Sequence, residues 1–491
     1  MNLGSVLTRK LISGARHAFM VDDRRSYRGI ETLVASMHIA DQLDSKCSVP
    51  RVGTLIPTSG AFAIAATGTW MSGRSLVPMN YLLQQEELQY IVDDCGCDVI
   101  LASRKLIEHI GFTPRVKHLI YLEDLDFRSL PSPRLPRALH ADELAVLLYT
   151  SGTSGRPKGV MLSHRNLLAN AKQIQRHIRV LPSDIFFGVL PQFHSFGLTA
   201  LTIVPLLTRS KVIYSARFVP KKIIEGIREH RPTIFIGIPS MYNALLTVKD
   251  AQKDDFKSLR LAVSGGEPLP EDVARRFSER FGVRISEGYG MTETSPVTNV
   301  LLPDEDRAGS VGRAVPGVIQ RIIDPATGRV LPPNHDGELR MTGPNVMQGY
   351  YKLKEITKET FDEHGFLRTG DMARIDDDGF LSITGRIKEM MIVGGENVFP
   401  REIEEILDAH PSVHASGVTG LQDPMRGEVP IAFVELEEDA QIESDELKIW
   451  CRDQLAGYKV PKRIEIVGSL PRNATGKIVR RKLLALLEQQ L

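Results

Sequence analysis

Cysteine is scarce in this chain, with four in 491 residues: Cys47, Cys95, Cys97 and Cys451. None forms a C-x-x-C pair, so a zinc ribbon or disulfide scaffold is excluded, and Cys95-Gly96-Cys97 reads as incidental thiols beside a strand. Such usage suits a reducing, cytoplasmic setting. No run approaches the ~18 consecutive apolar residues that a membrane-spanning helix needs. That excludes an integral membrane protein of the helical kind and leaves peripheral membrane contact open. Neither sign of charge is in excess: 61 Lys and Arg face 60 Asp and Glu. A general nucleic-acid binder would show a basic surplus, so nucleic acid is not an expected partner. Internal repeats and low-complexity tracts are missing as well. The first twenty residues contain no acid and three basic residues, Arg9, Lys10 and Arg16. Leu3, Leu7 and Leu11 stand there at helical spacing, which favours a structural helix over a removable leader. The ending Glu488-Gln489-Gln490-Leu491 is no peroxisomal address.

What remains is a long chain, sufficient for two or more domains. From Leu144 onward apolar runs alternate with amphipathic stretches: strands over 211–214, 233–238, 259–263 and 283–286, helices over 220–230, 240–248 and 271–281. That alternation predicts parallel sheets with helices on their faces. Between residues 313 and 379 the texture turns to short strands with Asp336-Gly337 and Asp378-Gly379 turns, as in an antiparallel, barrel-like unit. Pro400 opens a helix at an N1 position, 429–435 reads as a strand and 445–455 as a helix. The expected class is α/β. A large N-terminal domain, 1–384, combines parallel α/β subdomains with a distorted β-barrel, and a small mobile α+β domain spans 385–491.

Within this frame, Tyr149-Thr150-Ser151-Gly152-Thr153-Ser154-Gly155-Arg156-Pro157-Lys158-Gly159 follows an apolar strand, with helix signals at Ser163-His164-Arg165-Asn166. Small residues let backbone approach a ligand, and hydroxyls and N–H groups at such a turn bind oxyanions. A Walker A loop would need Gly-Lys-Ser/Thr, whereas Lys158 follows Pro157 and precedes Gly159. Further on stand Ser264-Gly265-Gly266-Glu267-Pro268, Gly288-Tyr289-Gly290-Met291-Thr292-Glu293-Thr294, Thr369-Gly370-Asp371, Gly385-Arg386-Ile387-Lys388 and Pro471-Arg472-Asn473-Ala474-Thr475-Gly476-Lys477. In this order the motifs resemble those of the adenylate-forming superfamily, in its acyl-CoA synthetase and fatty-acid ligase branch.

That resemblance implies ATP, Mg2+ and coenzyme A, and a reaction in which a carboxylate attacks the α-phosphorus of ATP to give an acyl-adenylate. The carboxylate is already ionised near neutrality, its ordinary pKa being about 4, so alignment and charge neutralisation are the task rather than general-base catalysis. By the same resemblance the loop from Thr150 to Gly155, with Lys158, would hold the β- and γ-phosphates. Glu293 would hold magnesium and Thr292 would contact the α-phosphate. Tyr289 would stack on adenine beside Gly265, Gly266, Glu267 and Pro268, on a segment running through Gly288, Gly290 and Met291. Asp371 would take the ribose hydroxyls, with Arg386 reaching the same nucleotide. Lys477 would be the lysine that bridges carboxylate and α-phosphate, delivered by domain closure about a hinge at Lys388. After rotation Gly394 and Gly395 would let a pantetheine arm pass.

Phe193-His194-Ser195-Phe196-Gly197-Leu198-Thr199 stands where amino-acid-activating relatives carry an aspartate, so an amino-acid substrate is disfavoured. Phe196, Leu198, Phe235, Ile238 and Val263 are apolar, and Gly237, Gly265 and Gly290 could leave a channel. A medium- or long-chain fatty acid lined by His194 is the resulting expectation. An aryl acid stacked on His194 stays open. So does acyl carrier protein in place of CoA, since Lys459, Lys462, Arg463, Arg472, Lys477, Arg480, Arg481 and Lys482 would suit either acceptor. A non-catalytic nucleotide-binding homologue is the distant alternative.

Overall fold

The computed structural model describes residues 1–150, 156–438, 440–472 and 478–488. Two large sheets face a shared core. The first has nine strands, and its central run is parallel: Ile285–Gly290, Leu261–Gly265, Ile234–Gly237, Ile185–Gly188, Lys211–Tyr214 and Ala18–Val21. Val297–Val300 and Ser26–Arg28 flank this run antiparallel. The second has seven strands, with Leu144–Thr150, Ser75–Pro78, Arg51–Leu55, Val99–Ala102 and His118–Tyr121 parallel. Buried on both faces, these strands are near-continuous Val, Ile, Leu and Phe, as a covered parallel sheet requires.

Helices fill the space between the sheets. Leu3, Leu7 and Leu11 of the helix Leu3–Ser13 are fully buried, as their spacing predicted. The helix packs on Gly60–Met71, whose Trp70 donates its indole N–H to the Ala145 carbonyl at 3.0 Å. The two helices approach closely at Gly4, where a Cβ would lie 2.5 Å from the Trp70 carbonyl oxygen. The helices Pro220–His230 and Glu271–Phe281 begin and end as the sequence predicts, and Pro239–Leu246 lies within two residues of its expected span.

Two local features differ from the simplest sequence reading. The loop after Thr150 does not run into a helix. Lys158–Ser163 returns antiparallel to Leu144–Thr150, with Thr150 opposite Lys158. The two strands thus pair on either side of residues 151–155, and the helix His164–His177, capped by Ser163 Oγ, starts a strand's length beyond Lys158. The segment after His194 also changes winding, from α-helix to a π turn at Thr199–Ile203 and back. Pro205 explains this: it has no N–H for the Leu201 carbonyl, which accepts from the Tyr214 hydroxyl instead at 2.7 Å.

A four-stranded antiparallel sheet follows: Ile319–Ile323, Gly337–Thr342, Leu367–Ile375 and Leu381–Arg386. Backbone bonds join Leu381 to Val311 and Gly312, curling this sheet onto the edge of the nine-stranded one. The C-terminal part is a separate domain with its own sheet and core. Met391–Val393, Glu396–Val398, Gly427–Leu436, Val413–Asp423 and the parallel Arg463–Ile466 pack against Pro400–Asp408 and Ser444–Gln454 through Ile403, Leu407, Ala432, Val434, Leu447 and Cys451. All four cysteines are buried and free. No helix among the described residues is long and apolar enough to cross a membrane.

Candidate active site

Parallel strands leave their carboxyl ends open for ligand, and the nine-stranded sheet places two of the glycine motifs there. Leu261–Gly265 ends in Gly265 and Gly266, the latter at φ +88°, a conformation that favours glycine. Ile285–Gly290 ends in Gly288, Tyr289 and Gly290. A Cβ on Gly290 would lie 2.1 Å from the Pro296 carbonyl oxygen, so only glycine fits. Glu287 ties the two ends together, its Oε1 accepting from the Leu269 N–H at 3.2 Å, one residue past Pro268. Burial pushes the Glu287 carboxyl up to about 7, although Arg401 and the bond from Leu269 oppose this.

Tyr289 donates its hydroxyl to Asp371 Oδ2, and Arg386 Nε lies 2.8 Å from Asp371 Oδ1. The Asp371 side chain is only 4 % exposed, so the two partners engage both oxygens of a nearly enclosed carboxylate. Burial, reinforced by Asp371, holds the Tyr289 phenol far above its ordinary pKa and so protonated. Three segments that the sequence presents separately thus meet at one carboxylate.

A second cluster lies around the short turn Thr292–Thr294. Glu293 Oε1 accepts from the Tyr350 hydroxyl at 2.8 Å, and the Lys158 ammonium sits 5.5 Å from the centroid of the same ring. Burial and the neighbouring Glu293 keep the Tyr350 phenol protonated. Thr292 shares a 3.2 Å hydroxyl contact with buried Ser195. Met291 is half-buried against the main core. His194 caps the helix that starts at Ser195, its Nδ1 accepting from the Phe196 N–H at 3.4 Å, which leaves the proton on Nε2. The ring keeps solvent access, while desolvation by its surroundings lowers its pKa. Ser151, Gly152, Thr153, Ser154 and Gly155 lie outside the described residues, so Thr150 and Lys158 are the expected phosphate-holding residues of that loop whose placement is given.

Lys477 also lies outside the described residues, but both flanks of its segment are fastened. Arg472 bridges to Ile478, and the Val479 N–H donates to the Pro471 carbonyl at 2.7 Å. Arg480 then pairs with Glu389 and Glu404 at 2.5 Å each. Other C-terminal cations are paired too: Lys459 with Glu402, Lys462 with Asp423, Arg463 with Glu465 and Arg472 with Glu435. Gly394 and Gly395 form a two-residue hairpin turn at φ +61° and +92°, with open space where side chains would project. The turn alone therefore demands glycine there.

The family model for AMP-binding enzymes matches residues 15–351, and that for the AMP-binding enzyme C-terminal domain matches 402–477. The chain belongs to the AMP-binding enzyme family. A feruloyl-CoA synthase from an Amycolatopsis species is 35% identical over 437 residues, covering 88% of this chain and 87% of that protein. A long-chain-fatty-acid–CoA ligase from Bacillus subtilis is 33% identical, covering 88% and 85%. ATP-bound MatB from Rhodopseudomonas palustris superposes with a TM-score of 0.90 at 31% identity over 100% of this chain and 99% of that one, and apo MatB with 0.81. Like these AMP-binding enzymes, the chain is an acid–thiol ligase that works through an adenylate and uses ATP, Mg2+ and CoA.

The residues present fit that chemistry. Among the described residues Lys158 has no carboxylate partner and Glu293 no cationic one, an arrangement that a phosphate and its cation would complete. No group of three or more His, Cys, Asp or Glu side chains gathers among those residues as a metal cage. The single carboxylate of Glu293 is a donor of the kind Mg2+ uses, which takes one or two carboxylates together with phosphate oxygens and water. Tyr350, Ser195 and Glu287 were missed from sequence, and Arg480, expected to face the acceptor, is instead paired with Glu389 and Glu404. Ser195 stands inside the quoted Phe193–Thr199 motif and Glu287 directly before Gly288, so proximity was the available signal; for Tyr350 and Arg480 the contacts are long-range.

Proposed function

We propose that this ligase activates a compact apolar carboxylic acid, an aryl acid or an acyl chain of medium length, and discharges it onto CoA. The observation that carries this reading is the packing around Gly265. A Cβ there would lie 3.2 Å from Phe196 Cε1, so the Phe196 ring occupies the space that a glycine was expected to leave for a chain. Gly237 is hemmed in by Phe235 and Tyr242, and Gly290 by Pro296. Leu198, Phe235 and Val263 belong to the packed core. His194, Phe196, Ile238 and Met241 keep exposed surface and would rim a short recess. A long-chain acid, the fuller expectation from sequence, finds less support in this packing.

In this reading Lys158 and Thr150, with Ser151 to Gly155, neutralise and hold the terminal phosphates. Glu293 takes the magnesium ion, which when bound shields charge on those phosphates. Thr292, steadied by Ser195, faces the α-phosphate, Tyr289 lies against adenine, and Asp371 with Arg386 engages the ribose. Lys477 reaches the reacting carboxylate from the C-terminal domain, taken as 385–491 and turning at Lys388 against 1–384. Gly394 and Gly395 line the thiol's approach. Carrier protein as acceptor is the weaker alternative, because the relatives named above act with CoA.

Pyrophosphate release with CoA across acetate, hexanoate, decanoate, palmitate, benzoate and 4-hydroxycinnamate tests the substrate class. We expect kcat/KM to peak at the aryl acids or at hexanoate to decanoate. Palmitate as the best substrate would overturn the compact-recess reading, and faster discharge onto a holo carrier protein than onto CoA would reverse the choice of acceptor.

A further inference from the structure

Residues 347–351 stitch together two parts of the phosphate site that are far apart in sequence. At one end the Met347 N–H donates to the Glu293 carbonyl at 2.8 Å. At the other, Gln348 donates to the Met161 carbonyl at 3.0 Å and Tyr351 to the Gly159 carbonyl at 2.8 Å, beside Lys158. Gly349–Tyr350 adds a strand to Lys158–Ser163, with Tyr350 opposite Val160. The Tyr350 N–H is held by Thr357 Oγ1 at 2.9 Å, which fixes the residue from its other side. From this braced position one side chain reaches both charged groups, donating its hydroxyl to Glu293 Oε1 and placing its ring 5.5 Å from the Lys158 ammonium.

We propose that Tyr350 is a positioning residue that sets the orientation of the Glu293 carboxylate and its spacing from Lys158 for the nucleotide phosphates and their divalent cation. The proposal rests on the assignment of Glu293 to magnesium made above. The hydroxyl fixes Oε1, so the carboxylate that would hold the cation is already oriented. Without it the carboxylate would lose its fixed rotamer and pay the ordering entropy on binding. The ring contributes separately, by offering its π face to the ammonium.

Calorimetric titration of ATP into the full-length protein over a series of Mg2+ concentrations separates these contributions. Tyr350→Phe keeps the ring and loses the donor. It should weaken the Mg2+-dependent part of ATP affinity about ten-fold, the scale of a hydrogen bond to a charged group, while Mg2+-free affinity stays in place. Tyr350→Leu should in addition weaken Mg2+-free binding by a factor of about three. Unchanged or tighter Mg2+ dependence in Tyr350→Phe overturns the proposal, as does an equal loss with and without Mg2+. Glu293→Gln run in parallel separates the two layers. If it abolishes the Mg2+ dependence while Tyr350→Phe leaves that dependence unchanged, only the role of Tyr350 falls. If it leaves the dependence intact, the assignment of Glu293 falls and the role of Tyr350 with it.

Discussion

In the proposed nucleotide site Asp371 is the residue most ordered in advance, its nearly enclosed carboxylate held from two sides by Tyr289 and Arg386. Asp371→Asn keeps the shape and removes the charge that Arg386 answers. We expect ATP–pyrophosphate exchange to fall about a hundred-fold, with KM for ATP raised, the scale of losing one charged partner in a preorganised site. Tyr289→Phe removes only the hydroxyl and should cost at most about ten-fold in the same assay. A larger loss in Tyr289→Phe than in Asp371→Asn would mean that the phenol, not the carboxylate, meets the ribose. Each of these residues was legible because it stands within a motif. That the Tyr289 hydroxyl reaches Asp371 was not, since 82 residues separate them and neither pattern nor propensity encodes such a meeting. Tyr350 was hidden for the same reason, 57 residues from Glu293 and outside any quoted motif.

Helices and strands were more readable than their junctions. Periodicity placed Pro220–His230 and Glu271–Phe281, because amphipathic helices with a buried stripe print their period directly in sequence. The strand Lys158–Ser163 was overlooked because its polar first residues, Lys158 and Gly159, disguise an edge-side partner of Leu144–Thr150. One junction makes a pH prediction. His164, the first residue of its helix, is fully buried, and its Nδ1 accepts from the Leu3 N–H at 3.2 Å, docking the helix Leu3–Ser13. Burial, with a smaller push from the N-terminal amine, lowers the imidazole from 6.5 to about 4. A base whose folded pKa is depressed contributes stability above its unfolded pKa and loses it as pH falls toward the folded one, here between 6.5 and about 4. Protonation would also remove the acceptor for Leu3. Hydrogen exchange in residues 3–13, corrected for intrinsic rates, should therefore accelerate across that window by on the order of ten-fold or more. In His164→Gln, which keeps an acceptor and cannot titrate, the acceleration should vanish. Its persistence would assign the effect to another group.

At the level of the whole molecule, the fold class followed from the strand–helix alternation, and the separate C-terminal domain has a core of its own to match. Its contacts with the N-terminal part, such as Arg401 donating to the Ile383 carbonyl at 2.8 Å, are ones that no local pattern carries. The two-step reading makes a prediction that only this larger arrangement can satisfy. Lys477→Ala should lose adenylation by two to three orders of magnitude, on the order of one transition-state electrostatic partner, yet still convert supplied acyl-adenylate and CoA to thioester. Gly395→Leu should show the opposite bias, although the strained φ of +92° also taxes that turn. Equal damage to both half-reactions in both variants would argue against alternating faces of the C-terminal domain.

The Asp371–Arg386 pair joins adjacent strands of one sheet, with Asp371 directly opposite Arg386 in the register. Arg386 is the last residue of its strand, two positions before Lys388. A swivel at Lys388, as proposed above, would therefore begin just beyond this latch and need not open it. On the proposed reading, recognition of the sugar would thereby be insulated from the movement that exchanges one chemistry for the next, and the chain after Arg386 would act as a replaceable module. Descendants could alter the acceptor-facing part through changes downstream of this point while inheriting nucleotide selectivity untouched.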